Sequence, residues 1–523
     1  MTGRRPPEFA YEVEVDDVQS IALQALTDLP EAYFLFVRDL RGPHSAKWLA
    51  ALADQVARGA TAPPGTARAI NIALTHAGLQ AIGLDRATCN QFGIAFQQGM
   101  SGGGGHRSWE LGDVGDSAPF GWRWGNTPTE KGEPPPRPVH AVVLLYANSD
   151  ATLKTLVDEQ RGLAADCGVD LYAEASMPMR ASWPHANGAR GAGATVEGLR
   201  EHFGFVDGIS QPEFRMRADA LDEHLIAPGE LLLGYPNEAG TFPPSPTIPA
   251  TTTALELGLR PAADGLLDLG RNGSYLVFRH IAQDVRGFWE FARAHATAHA
   301  KELGTIERCA AKMIGRWRNG APLTTTPAQP QNLNELDRQK NDFQFAADAD
   351  GRDCPVGAHV RRANPRDTLP GLSARRSLDE VRRHRILRRG RPFGAPLSGW
   401  PDPEQMLAAP AAIRISDQRQ DDPWSRGMHF LCLNADIEEQ FEFVQQRWIN
   451  DPTFVNQRTD EVDPILGRQR DTPTFRVPAE PTPVVLGNAA PLRRFTQIIG
   501  GEYFFLPSHR ALKYLAAIAT TRG

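Results

Sequence analysis

The chain has 523 residues, 41% of them hydrophobic and 23% charged, with a net charge of −6. That length allows two to four domains at roughly 100–200 residues each, and the acidic balance argues against binding nucleic acid or anionic membrane over the whole surface. No apolar run approaches the ~18 residues of a membrane helix. Two arginines near the N-terminus have no apolar stretch behind them, so no signal peptide or twin-arginine signal is expected, and the cytoplasm is the expected location.

Four segments in chain order pair a β-branched or aromatic run with a stretch of helical apolar spacing. "AYFLFVRDL" leads into "HSAKWLAALADQVARG", and "HAVVLLYANSD" into "ATLKTLVDEQRGLAADCG". "GSYLVFRHIAQ" then leads into "DVRGFWEFARAHATAHA", and "MHFLCLNA" into "DIEEQFEFVQQRWIN". The last three helices open at Ser149-Asp150, Gln283-Asp284 and Asn434-Ala435-Asp436, which supply N-caps. With further strands between them, such as "TARAINIALT" at 66–75, the pattern predicts an α+β fold. It consists of βαββαβ twice over, two ferredoxin-like domains with antiparallel sheets, one duplicated from the other. The expected boundaries are 1–217 and 276–523, with the break soon after Phe214. The Pro/Thr-rich excursion between them, at 218–275, reads as exposed loop rather than core. "SGGGG" at 101–105 lacks the strand and helix context of a phosphate loop.

The five cysteines (Cys89, Cys167, Cys309, Cys354, Cys432) are odd in number and show no CxxC spacing. They argue against structural zinc, iron–sulfur ligation and a disulfide framework. A metal ligand would have to come from the fourteen histidines or from a carboxylate cluster.

Four stretches carry the residues of chemical interest: "HFGFVDGISQP" (202–212), "CPVGAHVRRANPRD" (354–367), "HRILRRGRPFG" (384–394) and "GMHFLCLNADIEEQFEFVQQRW" (427–448). Each has an ordinary explanation. Asp207 before Gly208 is a common turn signal. His359 alone reads as a hydrogen-bonded core or surface residue more readily than as a ligand. Arg388 lies in a run of arginines that could be a solvated face or an anion patch, and Asp436 is an ordinary helix cap.

Together and in this order, the stretches resemble the dye-decolorizing peroxidase family over nearly the whole chain. "FGFVDGISQP" matches that family's GxxDG motif through Gly204, Asp207 and Gly208. "GAHVRRANPRD" resembles the segment of the proximal haem histidine and "RILRRGRPFG" that of the distal arginine. "INIALTHAGLQAIGL", "APGELLLGYPNE", "NDFQFAADADGRDCPVGAH" and "GGEYFFLPS" also fit. The length and the Pro-rich excursion are similar to the larger bacterial members, the C-type or class V group.

The resemblance implies haem b (iron protoporphyrin IX) bound mainly by the C-terminal domain near the domain interface. His359 would be its axial ligand, with Asp207 and Arg388 on the distal face. The implied activity is peroxidase: hydrogen peroxide is the oxidant, and dyes, phenols or other aromatic donors give up single electrons, with surface Trp or Tyr residues relaying them from bulky donors. A carboxylate with a reference pKa of about 3.9 remains a proton acceptor in acid, where an imidazole of about 6.5 is already charged. A permanently cationic arginine stabilises charge on the departing oxygen. The second nitrogen of His359 needs an acceptor, for which Asp436, and after it Glu439, is the candidate. Arg316 and Arg361 or Arg362 are candidates for the propionates. Phe443 and Phe504 read as core aromatics before haem walls.

A haem carrier with incidental peroxidase activity is the alternative, and it would need His359 but not both Asp207 and Arg388. Nucleic-acid binding through the arginines at 382–391 is disfavoured by the net charge. Mn(II) is one further reductant left open, although no carboxylate spacing announces its site. Oligomeric state is also open, a homodimer among the alternatives, and no cargo-loading tail is expected.

Overall fold

The computed structural model describes residues 12–40, 42–60, 65–102, 105–125, 139–173, 180–182, 200–214, 225–330, 341–394, 402–408, 426–457, 460–468 and 473–519. The first half runs β1 (Glu31–Asp39), α1 (Gly42–Ala53), β2 (Arg68–Leu74), β3 (Ala141–Ala147) and α2 (Asp150–Asp166). Short strands at Asp170–Leu171 and Arg180–Ser182 then pair with β1. β3 is buried at every position, which is why it reads as an unbroken apolar run instead of an alternating one. The Ser149 hydroxyl accepts the Thr152 N–H at 3.2 Å and starts α2.

The second half repeats the order. β4 (Ser274–Gln283) leads into α3 (Val285–Ala298), capped by the Asp284 carboxylate on the Gly287 N–H at 2.9 Å. Next come α4 (Ile306–Ile314), the short α5 (His359–Ala363), β5 (Leu387–Arg388), β6 (Arg391–Gly394), β7 (Arg426–Asn434) and β8 (Thr496–Leu506). The segment after β7 is helical as expected, but wound as a π-helix over Ile437–Glu442 and Val444–Ile449. There the Asn450 N–H reaches the Gln445 carbonyl at 2.9 Å, five residues back.

In each half the strands lie in the order 4-1-3-2, antiparallel throughout, so two ferredoxin-like units are present. They join edge to edge where Phe505 of β8 pairs with Leu74 of β2, making one sheet of ten strands among the described residues.

Two expectations change. The break expected after Phe214 falls on 215–224, outside the described residues, but the stretch before it is packed on the second half. Phe203 stacks on Phe288 of α3 with ring centroids 4.5 Å apart, Phe205 lies against Trp289, and the Val206 N–H donates to the Arg318 carbonyl at 3.0 Å. The excursion, in turn, is partly core. Thr247–Pro249, Arg260–Pro261 and Leu266–Asp268 form a small antiparallel sheet, and Leu231, Leu232, Leu233, Ile248 and Leu267 are buried in the main apolar cluster. The Pro/Thr-rich stretch itself supplies one of its strands, Thr247–Pro249, and isolated apolar residues anchor it.

Candidate active site

One cavity of the second half collects most of the residues singled out above. The space open to the centre of a water molecule is about 280 Å³, and every lining residue lies at position 201 or beyond. Asp207 enters it from the loop after Val206. Gly204 and Gly208 frame that loop with φ of +94° and +79°, a region that L side chains avoid. A Cβ on Gly204 would also meet the Arg318 guanidinium at 3.0 Å.

The Asp207 carboxylate accepts Nη1 of Arg388 at 2.7 Å and its neighbour's N–H, Gly208, at 2.6 Å. Arg388 is presented by β5, whose N–H at that residue donates to Gln211 Oε1 at 2.9 Å. The strand and the GxxDG loop are therefore tied through backbone as well as side chain. Burial alone would raise the Asp207 pKa, but the Arg388 charge, the Gly208 N–H and the charge of His359 outweigh it, and the net shift is downward. Asp207 is thereby kept ionised well into acid.

His359 opens α5 and lines the same cavity. Its Nδ1 is bonded to Asp463 Oδ2 at 2.9 Å, whereas Nε2 has no hydrogen-bond partner among the described residues. The Asp463 side chain is fully buried, and its other oxygen accepts the N–H groups of Ile465 (2.9 Å) and Leu466 (2.8 Å). Burial pushes this carboxyl up. The His359 charge and hydrogen bond, with the Leu466 N–H and Arg362, pull it below the ordinary carboxylate range.

This corrects the assignment of Asp436. Its carboxylate caps the helix after β7, accepting the Glu438 and Glu439 N–H groups at 3.0 Å each, and with Glu439 it lines a separate pocket beside Glu230. Arg361 is also corrected. Its guanidinium is buried against the carbonyls of Asp348 (2.9 Å) and Cys354 (2.8 Å), away from the cavity. Arg362 likewise bonds the carbonyls of Trp448 and Asp451 at 2.8 Å.

Arg316 does line the cavity. It donates to the Gly320 carbonyl at 2.9 Å and to Asn341 Oδ1 at 3.0 Å, and Asn341 in turn donates to the Ile209 carbonyl of the GxxDG loop. Phe443 stacks on His384 at 3.7 Å, and Phe504 is fully buried in the main core.

Arg385, not singled out from sequence, lines the cavity as well, and its guanidinium has no hydrogen bond or carboxylate partner among the described residues. Burial, then repulsion from Arg366, Arg388 and Arg382, lowers its pKa to about 9. An imidazole nitrogen left open, apolar walls such as Ile314, Phe430 and Leu466, and a cation awaiting an anion suit an iron tetrapyrrole with carboxylate side chains. The donor set therefore fits the haem that the resemblance implies.

No protein-family model matches the chain. The multifunctional dye peroxidase of Amycolatopsis sp. is 31% identical over 333 residues, 62% of this chain and 62% of that protein. The alignment thus spans less than two thirds of that relative's length. A dye-decolorizing peroxidase of Mycena epipterygia is 26% identical over 540 residues, 97% of this chain and 87% of its own. The chain is similar in sequence to dye-decolorizing peroxidases. A solved dye-decolorizing peroxidase in complex with 2,6-dimethoxyphenol superposes with a TM-score of 0.67 at 23% identity, covering 97% of this chain and 100% of that one. The dye-decolorizing peroxidase fold accordingly extends over almost the whole chain.

Both downward-shifted carboxylates stabilise the folded chain fully above the unfolded value of about 3.9, and that contribution is lost as pH falls through their lower folded values. Urea unfolding at about pH 6 and about pH 3 should show the loss. Asp463→Asn, which cannot titrate, should show a smaller difference between the two.

Proposed function

We propose that the protein is a haem-dependent peroxidase that uses hydrogen peroxide to oxidise dyes, phenols or similar aromatic donors in one-electron steps. The Asp207–Arg388 ion pair at 2.7 Å, in the same cavity as a His359 whose Nε2 is free, carries this reading. His359 would hold the haem iron through its open Nε2. Asp463 holds its Nδ1–H, which fixes the tautomer that leaves Nε2 for iron and raises the basicity of the ring. Arg385 and Arg316, which line the cavity, would supply positive charge for the propionates of haem b. The bound group contributes the redox chemistry with peroxide and the donor, and the protein manages the protons.

Asp207, ionised at entry, takes the peroxide proton and returns it to the departing oxygen. Arg388 stabilises negative charge on that oxygen and, being always protonated, does not compete for the proton. The relative solved with 2,6-dimethoxyphenol supports a phenolic donor. Chain length and the excursion support placement among the larger bacterial members.

Haem reconstitution followed by absorption spectroscopy tests the reading. An intense Soret band that shifts on adding peroxide, with turnover of a phenolic donor, is expected; a chain that takes up no haem overturns it. Asp463→Ala should weaken haem binding by about 10–100-fold, because His359 is then free to rotate and change tautomer. A haem titration of the two proteins measures the difference.

A further inference from the structure

A second carboxyl group lines the cavity beside Asp207, and the mechanism above gives it no part. Glu201 lies at the start of the loop that ends in Asp207. The backbone closes this loop on itself: the Glu201 N–H donates to the Phe205 carbonyl at 3.1 Å, and the Gly204 N–H to the Glu201 carbonyl at 2.8 Å. The Glu201 side chain fills the turn. Oε2 accepts the Phe203 N–H and Gln283 Nε2, each at 2.8 Å, and Oε1 accepts the Phe205 N–H at 2.9 Å. One carboxyl thus fixes the two aromatic residues that dock the loop on α3, and through them the backbone that presents Asp207.

We propose that Glu201 is a positioning residue for Asp207, pinning its loop and setting by its own charge the pH above which Asp207 ceases to return its proton efficiently. The proposal rests on the reading of Asp207 as the proton-transfer group. The charges around Glu201 are Asp207 on the same loop, Arg318 on the turn after α4, and Arg200, whose guanidinium is bound to the Gly204 and Arg318 carbonyls; β4 presents only the uncharged Gln283.

Burial raises the Glu201 carboxyl, its three N–H donors lower it, the Asp207 charge raises it, and it comes to about 7. Below that pH Glu201 is neutral, and a proton on Asp207 is held only by its own carboxylate. Above it a second negative charge stands nearby and strengthens that hold, so transfer from the Asp207 carboxyl to the departing oxygen becomes less favourable. The rate of reaction with peroxide therefore falls as pH rises through Glu201's titration.

The test uses the haem-loaded full chain. Stopped-flow rates with peroxide should drop about tenfold between about pH 6 and pH 8 in the wild type, and Glu201→Gln should remove that limb. Independently of activity, an infrared pH titration of the resting protein should show carboxylic-acid absorption that disappears around neutral pH. Glu201→Gln should lose the Glu201 part of it, leaving that of Glu502, the other carboxyl raised to about 7. Gln283→Leu, which removes one donor to the anion, should move both transitions upward by about one pH unit.

A limb unchanged in Glu201→Gln, equal slowing at every pH, or carboxylic-acid absorption that Glu201→Gln leaves unchanged overturns the proposal. Should Glu201→Gln fail to retain haem, Gln283→Leu decides, and transitions that stay in place overturn it. A wild type that loads haem but does not react with peroxide would sink the peroxidase reading instead, and the infrared titration would still report whether Glu201 ionises.

Discussion

Replacing His359 with alanine should abolish the axial bond and with it the normal Soret spectrum, at a cost in haem affinity exceeding the ~10–100-fold expected for Asp463→Ala. The other histidine lining the cavity, His384, has both ring nitrogens engaged, Nδ1 with the Glu439 carbonyl at 2.5 Å and Nε2 with Glu380 at 3.3 Å. The haem-free chain should suffer as well. Asp463 would keep the Ile465 and Leu466 N–H groups but lose the partner of its fully buried second oxygen, a loss of about 1–3 kcal/mol. Denaturant unfolding of the haem-free variant measures this. An unchanged spectrum in His359→Ala would remove the axial assignment.

Asp207→Asn should leave haem loading intact and slow the reaction with peroxide by about 10²–10⁴-fold. The amide oxygen can still accept the Arg388 Nη1–H and the Gly208 N–H, so the loop keeps its shape while the group loses its ability to take a proton. Arg388→Leu should cost about 10²–10³-fold by removing the charge that faces the departing oxygen. Because the two side chains share a hydrogen bond, the double variant should be less impaired than the product of the single effects. Rapid-mixing rates at a fixed pH check both. Equal rates in wild type and Asp207→Asn would exclude Asp207 from proton transfer.

The two repeated units and the three principal site residues were legible because each depends on local pattern. Strands and caps are local, as Ser149 and Asp284 show, and Asp207, His359 and Arg388 sit in compact motifs. The misses are long-range or orientational. Asp463 reaches His359 across 104 residues from a stretch, "DEVDPILG", that reads only as a turn, so its signal was an Asx cap and nothing more. Asp436 was drawn off by the same chemistry, its short side chain captured by N–H groups two and three residues on.

Arg361 follows His359 by two positions on a helix, about 200° around the axis, so a histidine facing the cavity turns that arginine into the protein. Arg385 was hidden inside a run of arginines, several of which make ordinary surface pairs, such as Arg383 with Glu380. Only the fold shows that Arg385 joins Arg388 in the cavity.

The GxxDG loop is made early yet belongs to a wall completed late, and this orders events during synthesis. Asp207 leaves the ribosome long before Arg388, His359 and Asp463, and Thr496 of β8 still has to seal the cavity. At about 5–20 residues per second the interval is on the order of tens of seconds. Phe203 and Phe205 can meet Phe288 and Trp289 once α3 is made, but Phe495, which packs on Phe288, arrives only just before β8. The cavity wall is thus complete only in chains extended into β8.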